Sequence, residues 1–237
     1  MLAVRRSALE AGADTVTRDR ARTGATRMST GAVGFTVKSG WAAVVLLGGS
    51  CERPGVLDVR RVELSDPAVP EARQPYHDGF GTARASGREL SRLVASVERF
   101  GAASVGGLIR GYVEQGQQLA GAGIVVGSLI DPERLGGSHV HIHALEGRLF
   151  RQIVEGAAAN AGLACSVWCQ RDLYARAAEI LRRPQEEIRS ALSAIERPRS
   201  TAWRMEQKSA ALAAWLVLAG ERRPERVRGM GRAARRT

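Results

Sequence analysis

Three of the chain's four histidines fall within five residues, as His139, His141 and His143 of SHVHIHALEGRLFR (138–151). On a strand, H-x-H-x-H spacing would place all three imidazoles on one face, as a transition-metal site requires. A helix reading accounts for more of the sequence. With Ser138 as N-cap and His139 as the first helical residue, a period of 3.6 gathers Ile142, Leu149, Phe150, Ile153, Val154 and Ala157 into one apolar stripe. Arg148, Arg151, Gln152 and Glu155 then fall opposite. The helix turns His141 away from His139 and His143, so the run alone no longer supplies three ligands. The remaining i, i+4 pair could hold zinc, but no third ligand stands at a recognisable spacing, and the sequence assigns no metal site.

The same helix puts His139, His143 and Glu146 inside the apolar stripe, at its N-terminal end. Polar groups there are costly unless paired or facing a cavity. Either the first turn is exposed, or Glu146 and His143 point into the mouth of a site. Two further charges break apolar sequence: Lys38 in AVGFTVKSGWAAVVLLG (32–48), and Lys208 at the start of the stripe Leu212, Trp215, Leu216 and Ala219. Three distant elements thus each place an ionisable residue where a core begins. They are expected to share one cleft, with tips within one or two ion-pair lengths of about 4 Å each. QPYHDG (74–79) adds Tyr76, His77 and Asp78 on a Pro/Gly-rich loop. Lys38-Ser39 lacks the partner motif of a Ser–Lys nucleophile, and no phosphate-binding G-x-x-x-x-G-K-[ST] occurs.

The elements that must position these residues read in the order βββ, α, β, α, β, αα, α. Residues 32–48 form two strands around a tight turn at Lys38-Ser39-Gly40, and 56–64 form a third. After the loop 65–86, residues 87–116 read as one or two helices, with Gly101 and Gly106-Gly107 as interruptions. Residues 122–130 read as a buried strand, 139–161 as the histidine-bearing helix and 163–170 as a fifth strand. Two short helices split at Pro184 follow, and 205–219 close the chain. This is one α/β domain over residues 28–221, with a mixed sheet and helices on both faces.

The net charge of +11 sits mainly at the ends: +6 in residues 222–237, +3 in 1–27 and about +2 between. The ends read as a disordered N-terminal extension and a disordered basic tail able to bind phosphate backbones without sequence preference. Trp203 between Arg199 and Arg204 in RPRSTAWR could stack on and neutralise a strand. Three cysteines without C-x-x-C, Cys51, Cys165 and Cys169, read as buried small hydrophobes in a reducing, cytoplasmic compartment. No apolar run reaches the roughly 20 residues of a membrane span. Oligomeric state is not legible.

Element order and the positions of the polar residues resemble the ribonuclease H-like fold of Holliday-junction resolvases, transposases and ribonucleases, over residues 32–220. The resemblance implies a three-stranded antiparallel meander plus two parallel strands. It also implies acids on the first strand, near the fourth strand or following helix, and on the last helix, holding two Mg²⁺ ions for phosphodiester hydrolysis. This chain departs from that pattern. Lys38 and Lys208 stand at the first and last positions, and only Glu146 or Asp131 could serve as the middle acid. Two ammonium groups would repel Mg²⁺. With Ser39, Ser128 and a helix N-terminus, they would suit a phosphate or carboxylate instead.

The resulting expectation is a protein that binds nucleic acid or another phosphate-bearing ligand without a cofactor, its two-metal chemistry lost. A second possibility is a phosphodiester hydrolase using Glu146, His143 and His77 with Mg²⁺ or Mn²⁺. A third is a non-catalytic interaction module.

Overall fold

A computed structural model of the protein describes residues 30–78, 83–84, 87–135, 139–198 and 202–220. Both charged ends and the expected N-cap Ser138 lie outside the described residues. The strands are β1 (Thr30–Lys38), β2 (Trp41–Ser50), β3 (Arg53–Glu63), β4 (Gln118–Val126) and β5 (Cys165–Cys169). The helices are α1 (Arg88–Glu114), α2 (His139–Asn160), α3 (Leu173–Leu181), α4 (Gln185–Ala194) and α5 (Met205–Gly220). Short 3₁₀ turns cover Pro70–Arg73 and Pro132–Arg134.

The sheet order is β3-β2-β1-β4-β5. β1–β2 and β2–β3 pair antiparallel, whereas β1–β4 and β4–β5 pair parallel. This is the expected mixed α/β architecture, a three-stranded antiparallel meander continued by two parallel strands. Helices cover both faces, so β1 and β2 are almost continuously buried and show no polar alternation. One core joins Val33, Phe35, Val44 and Ile124 to α1 and α2 through Val97, Ile109, Phe150 and Val154. The other joins Val45, Leu47 and Val125 to α3, α4 and α5 through Leu173, Ile188, Leu192 and Trp215.

Glycines set the distance to α5. A Cβ on Gly34 would lie 1.8 Å from the Ala210 carbonyl oxygen, and one on Gly123 would lie 2.5 Å from that of Ala213. The α5 backbone therefore rests directly on β1 and β4. From Ser209 to Leu216 every residue of α5 is buried. The expected single stripe is a helix buried on all sides, with alanines where it meets Gly34 and Gly123. Thr36 Oγ1 donates to the Glu206 carbonyl at 2.8 Å and fixes the start of this helix on β1.

α1 is one continuous helix of 27 residues, and its glycines do not interrupt it. Gly101 is a close-approach residue: a Cβ there would lie 2.8 Å from Ile153 Cγ2 and 2.9 Å from the Leu64 carbonyl oxygen. β4 ends at Val126, before the expected limit, because the chain turns at Ser128, whose Oγ accepts from the Ile130 N–H at 3.1 Å. Among the described residues no helix is long and apolar enough to cross a membrane.

Candidate functional site

Glu146 lies fully buried in the apolar stripe of α2, beside Ile142, Leu149 and Phe150. Both of its oxygens have partners. Oε1 lies 2.8 Å from His77 Nδ1, and Oε2 receives a longer bond of 3.4 Å from Ser39 Oγ. Burial pushes the carboxyl's pKa up. The bond from His77, the charges of His77 and His143, and the Ser39 hydroxyl oppose that rise.

Two loops deliver these partners. Ser39 sits in the β1–β2 turn, where Gly40 has φ +81°, the left-handed region that favours glycine. The Gly40 carbonyl accepts from the Leu64 N–H at 2.8 Å, tying the turn to the end of β3. His77 follows the Pro70–Arg73 turn. Its N–H donates to the Gln74 carbonyl at 3.0 Å, and its carbonyl accepts from Arg84 Nη2 at 3.1 Å. The neighbouring Tyr76 hydroxyl also has a raised pKa, mainly through burial.

His139 and His143 stand on the exposed first turns of α2, with their Nε2 atoms 2.8 Å apart. The His77 ring centroid lies 5.6 Å from that of His139 and 5.1 Å from that of His143. One ring nitrogen from each of the three lies within 4.8 Å of the others. His141 faces elsewhere: its Nδ1 donates to the Pro132 carbonyl at 2.9 Å. The helix period separates His141 correctly, but the third imidazole comes from the loop 62 residues before His139. No local spacing rule links these positions.

Beside this cluster, at the carboxyl ends of β1 and β4, a cavity of about 280 Å³ opens. Lys38, Ser39, Ser128 and His143 line it above an apolar floor that includes Val126 and Phe150. Lys38 Nζ donates to Gln170 Oε1 at 3.4 Å, just past β5. Gln170 belongs in turn to a second cavity of about 410 Å³, lined by Arg189, Trp203, Arg204 and Lys208 among others.

The three charges expected in one cleft are thus divided. Lys38 lines the first cavity, Glu146 is sealed beneath His77, and Lys208 turns to the second cavity, where its Nζ donates to Ser193 Oγ at 3.3 Å. Gln170, Tyr174 and Arg189 were not legible as site residues, because each is an ordinary polar residue until α4 and α5 are packed. Asp131 faces Arg148 at 3.7 Å and caps the Pro132–Arg134 turn by accepting from the Glu133 N–H.

These features define an α/β protein with a mixed five-stranded sheet, a histidine cluster and two polar-lined cavities at one edge of that sheet. No protein-family model matches the sequence, and no curated protein matches it. Among solved structures, it is similar to Thermus thermophilus RuvC in complex with Holliday junction substrate, at 11% identity and a TM-score of 0.49. A second similar structure is that of Thermus thermophilus RuvC, at 12% identity and a TM-score of 0.44. Each alignment covers 81% of this chain and 95% of the other.

Proposed function

We propose that the carboxyl edge of the parallel strands binds a phosphate-bearing ligand, a nucleic acid strand in the first place, without two-metal cleavage. One observation carries this reading. Lys38, Arg189, Arg204 and Lys208 line two cavities linked by the Lys38–Gln170 hydrogen bond, and among the described residues no Asp or Glu lines either one. Among the described residues, Lys38, Arg204 and Lys208 have no carboxylate within 4.0 Å. Their charges are therefore available to an external anion. Carboxyl ends of parallel strands at a change of strand direction are common ligand positions in α/β sheets. Here β1 is that strand, paired antiparallel to β2 and parallel to β4. Trp203 and Tyr174 offer rings beside the cations, the combination that holds single strands by stacking and charge. Ser39 and Ser128 offer hydroxyl donors to a phosphate, and the basic tail adds affinity without sequence preference.

The residue types favour the loss of two-metal chemistry. Mg²⁺ requires oxygen ligands, and Glu146 is buried with both oxygens occupied. A second reading, a metal-dependent phosphodiester hydrolase, has one observation in its favour: His143 lines the first cavity and adjoins the His77–Glu146 pair. A single assay separates the two. Labelled single-stranded, duplex and four-way-junction DNA are titrated with the protein at several salt concentrations, with and without Mg²⁺ or Mn²⁺. The first reading expects binding that weakens steeply with salt and intact substrate throughout. Cleavage that requires the divalent ion and disappears in Glu146→Gln would establish the second.

A further inference from the structure

We propose that His77, His139 and His143 bind one divalent transition-metal ion of the zinc class, with Glu146 as the carboxylate that positions His77. Ligand type comes first. Three neutral imidazoles suit Zn²⁺, Co²⁺ or Ni²⁺, whereas Mg²⁺ prefers oxygen. The three rings already stand together, each offering a nitrogen within 4.8 Å of the others. A tetrahedral ion with Zn–N bonds of about 2.0–2.1 Å needs its nitrogens about 3.3 Å apart. The His139–His143 separation of 2.8 Å would open by about half an ångström, and the third nitrogen would close inward. Both helical histidines are exposed, so modest side-chain rotation meets this demand.

The second observation is the buried carboxylate behind the cluster. Metal-bound imidazoles commonly donate their other N–H to such a group, which fixes ring and tautomer. As a carboxylate, Glu146 accepts from His77 Nδ1 at 2.8 Å, so His77 Nε2 keeps its lone pair for a ligand. Glu146 is the only fully buried acid among the described residues, and this role accounts for its place in an apolar stripe. Three histidines leave a fourth coordination position open to water or an anion, the arrangement of catalytic rather than structural zinc sites. His143 belongs to both the cluster and the cavity lining, so the ion sits beside the cavity that holds Lys38.

This inference is independent of nucleic acid binding, and its test uses the metal alone. Full-length protein, stripped with a chelator, is titrated with Co²⁺ by visible absorbance and with Zn²⁺ by competition. The expected result is one equivalent with the intense absorption of four-coordinate Co²⁺. His139→Ala and His143→Ala, at exposed positions that leave the core intact, should each weaken binding by more than about 100-fold. Glu146→Gln should weaken it by about 10–100-fold. His141→Ala, outside the cluster, should bind as the native chain does. If Glu146→Gln does not fold, the two histidine variants decide alone. Failure to bind one equivalent would overturn the proposal, as would unchanged affinity in His139→Ala and His143→Ala or an equal loss in His141→Ala.

Discussion

α5 and α2 lie on opposite faces of one sheet and meet it in different ways. α5 rests backbone to backbone on Gly34 and Gly123, with Ala210, Ala213 and Ala214 at the contact. α2 meets the sheet through Leu149, Phe150, Ile153 and Val154, whose bulk keeps its axis farther out. Close approach fills the space along the buried run of α5 and confines the second cavity to the helix's N-terminal end, at Met205, Lys208 and Ser209. Large side chains leave a gap beyond the end of the packed stripe, and there the cavity, the buried Glu146 and the histidine cluster are found. Helix stand-off, set by glycine and alanine against leucine and phenylalanine, thus decides where along each helix a site can open.

The largest expected effect breaks the tight side. Gly34→Val drives a side chain into the α5 backbone and should lower stability by about 3 kcal/mol or more, read from urea unfolding. An unchanged midpoint would mean that α5 stands off the sheet. A smaller effect belongs to the looser side. Tyr112 of α1 donates to Asp58 Oδ2 at 2.8 Å, and Tyr112→Phe should cost about 1 kcal/mol.

The same residue supplies a pH test. Burial first, then the bond to Asp58, raises the Tyr112 pKa strongly above its ordinary 10.0. The folded chain therefore keeps a proton that the unfolded chain releases. This contribution is complete below pH 10 and is lost as pH rises above it. Tyr76 and Tyr174 are also shifted up by burial, so all three tyrosines should stay un-ionised in the folded protein past pH 10. Tyrosinate absorbance developing at pH 10 before unfolding would contradict this. The smallest effect contrasts glycines. A Cβ on Gly156 of α2 would meet nothing within 4 Å, so Gly156→Ala should stabilise by about 0.5–1 kcal/mol, opposite in sign to Gly34→Val.

Periodicity made much of this legible. The α2 stripe was readable in full because 3.6-residue repetition is a local property, and Ile142 through Ala157 are buried where it places them. The element order followed from apolar β-branched runs and turn signals, whereas the order of the strands across the sheet is a tertiary property. Glycine was the ambiguous letter. Gly101 reads as a helix break, yet it permits contact with Leu64 and Ile153, and only the tertiary partner distinguishes the two roles. α5 reads as amphipathic because alanine is neutral to the pattern, although the sheet and the short helices bury it all round. Charge placement was only partly accessible. The sequence offered Glu146 an exposed turn or the mouth of a site; its full burial depends on His77, which comes from a distant loop. Lys208 faces Ser193 rather than Lys38 because α4, not β1, lies beside that side of α5.

The basic sheet edge is tested most directly by the salt dependence of single-stranded DNA binding, compared among Lys38→Ala, Lys208→Ala and Arg110→Ala. Arg110 is exposed on α1, away from both cavities. Each lysine variant should bind more weakly and lower the slope of log affinity against log salt by about one, while Arg110→Ala matches the native chain. Native affinity and slope in both lysine variants, or an equal loss in Arg110→Ala, would contradict the assignment of the ligand to this edge.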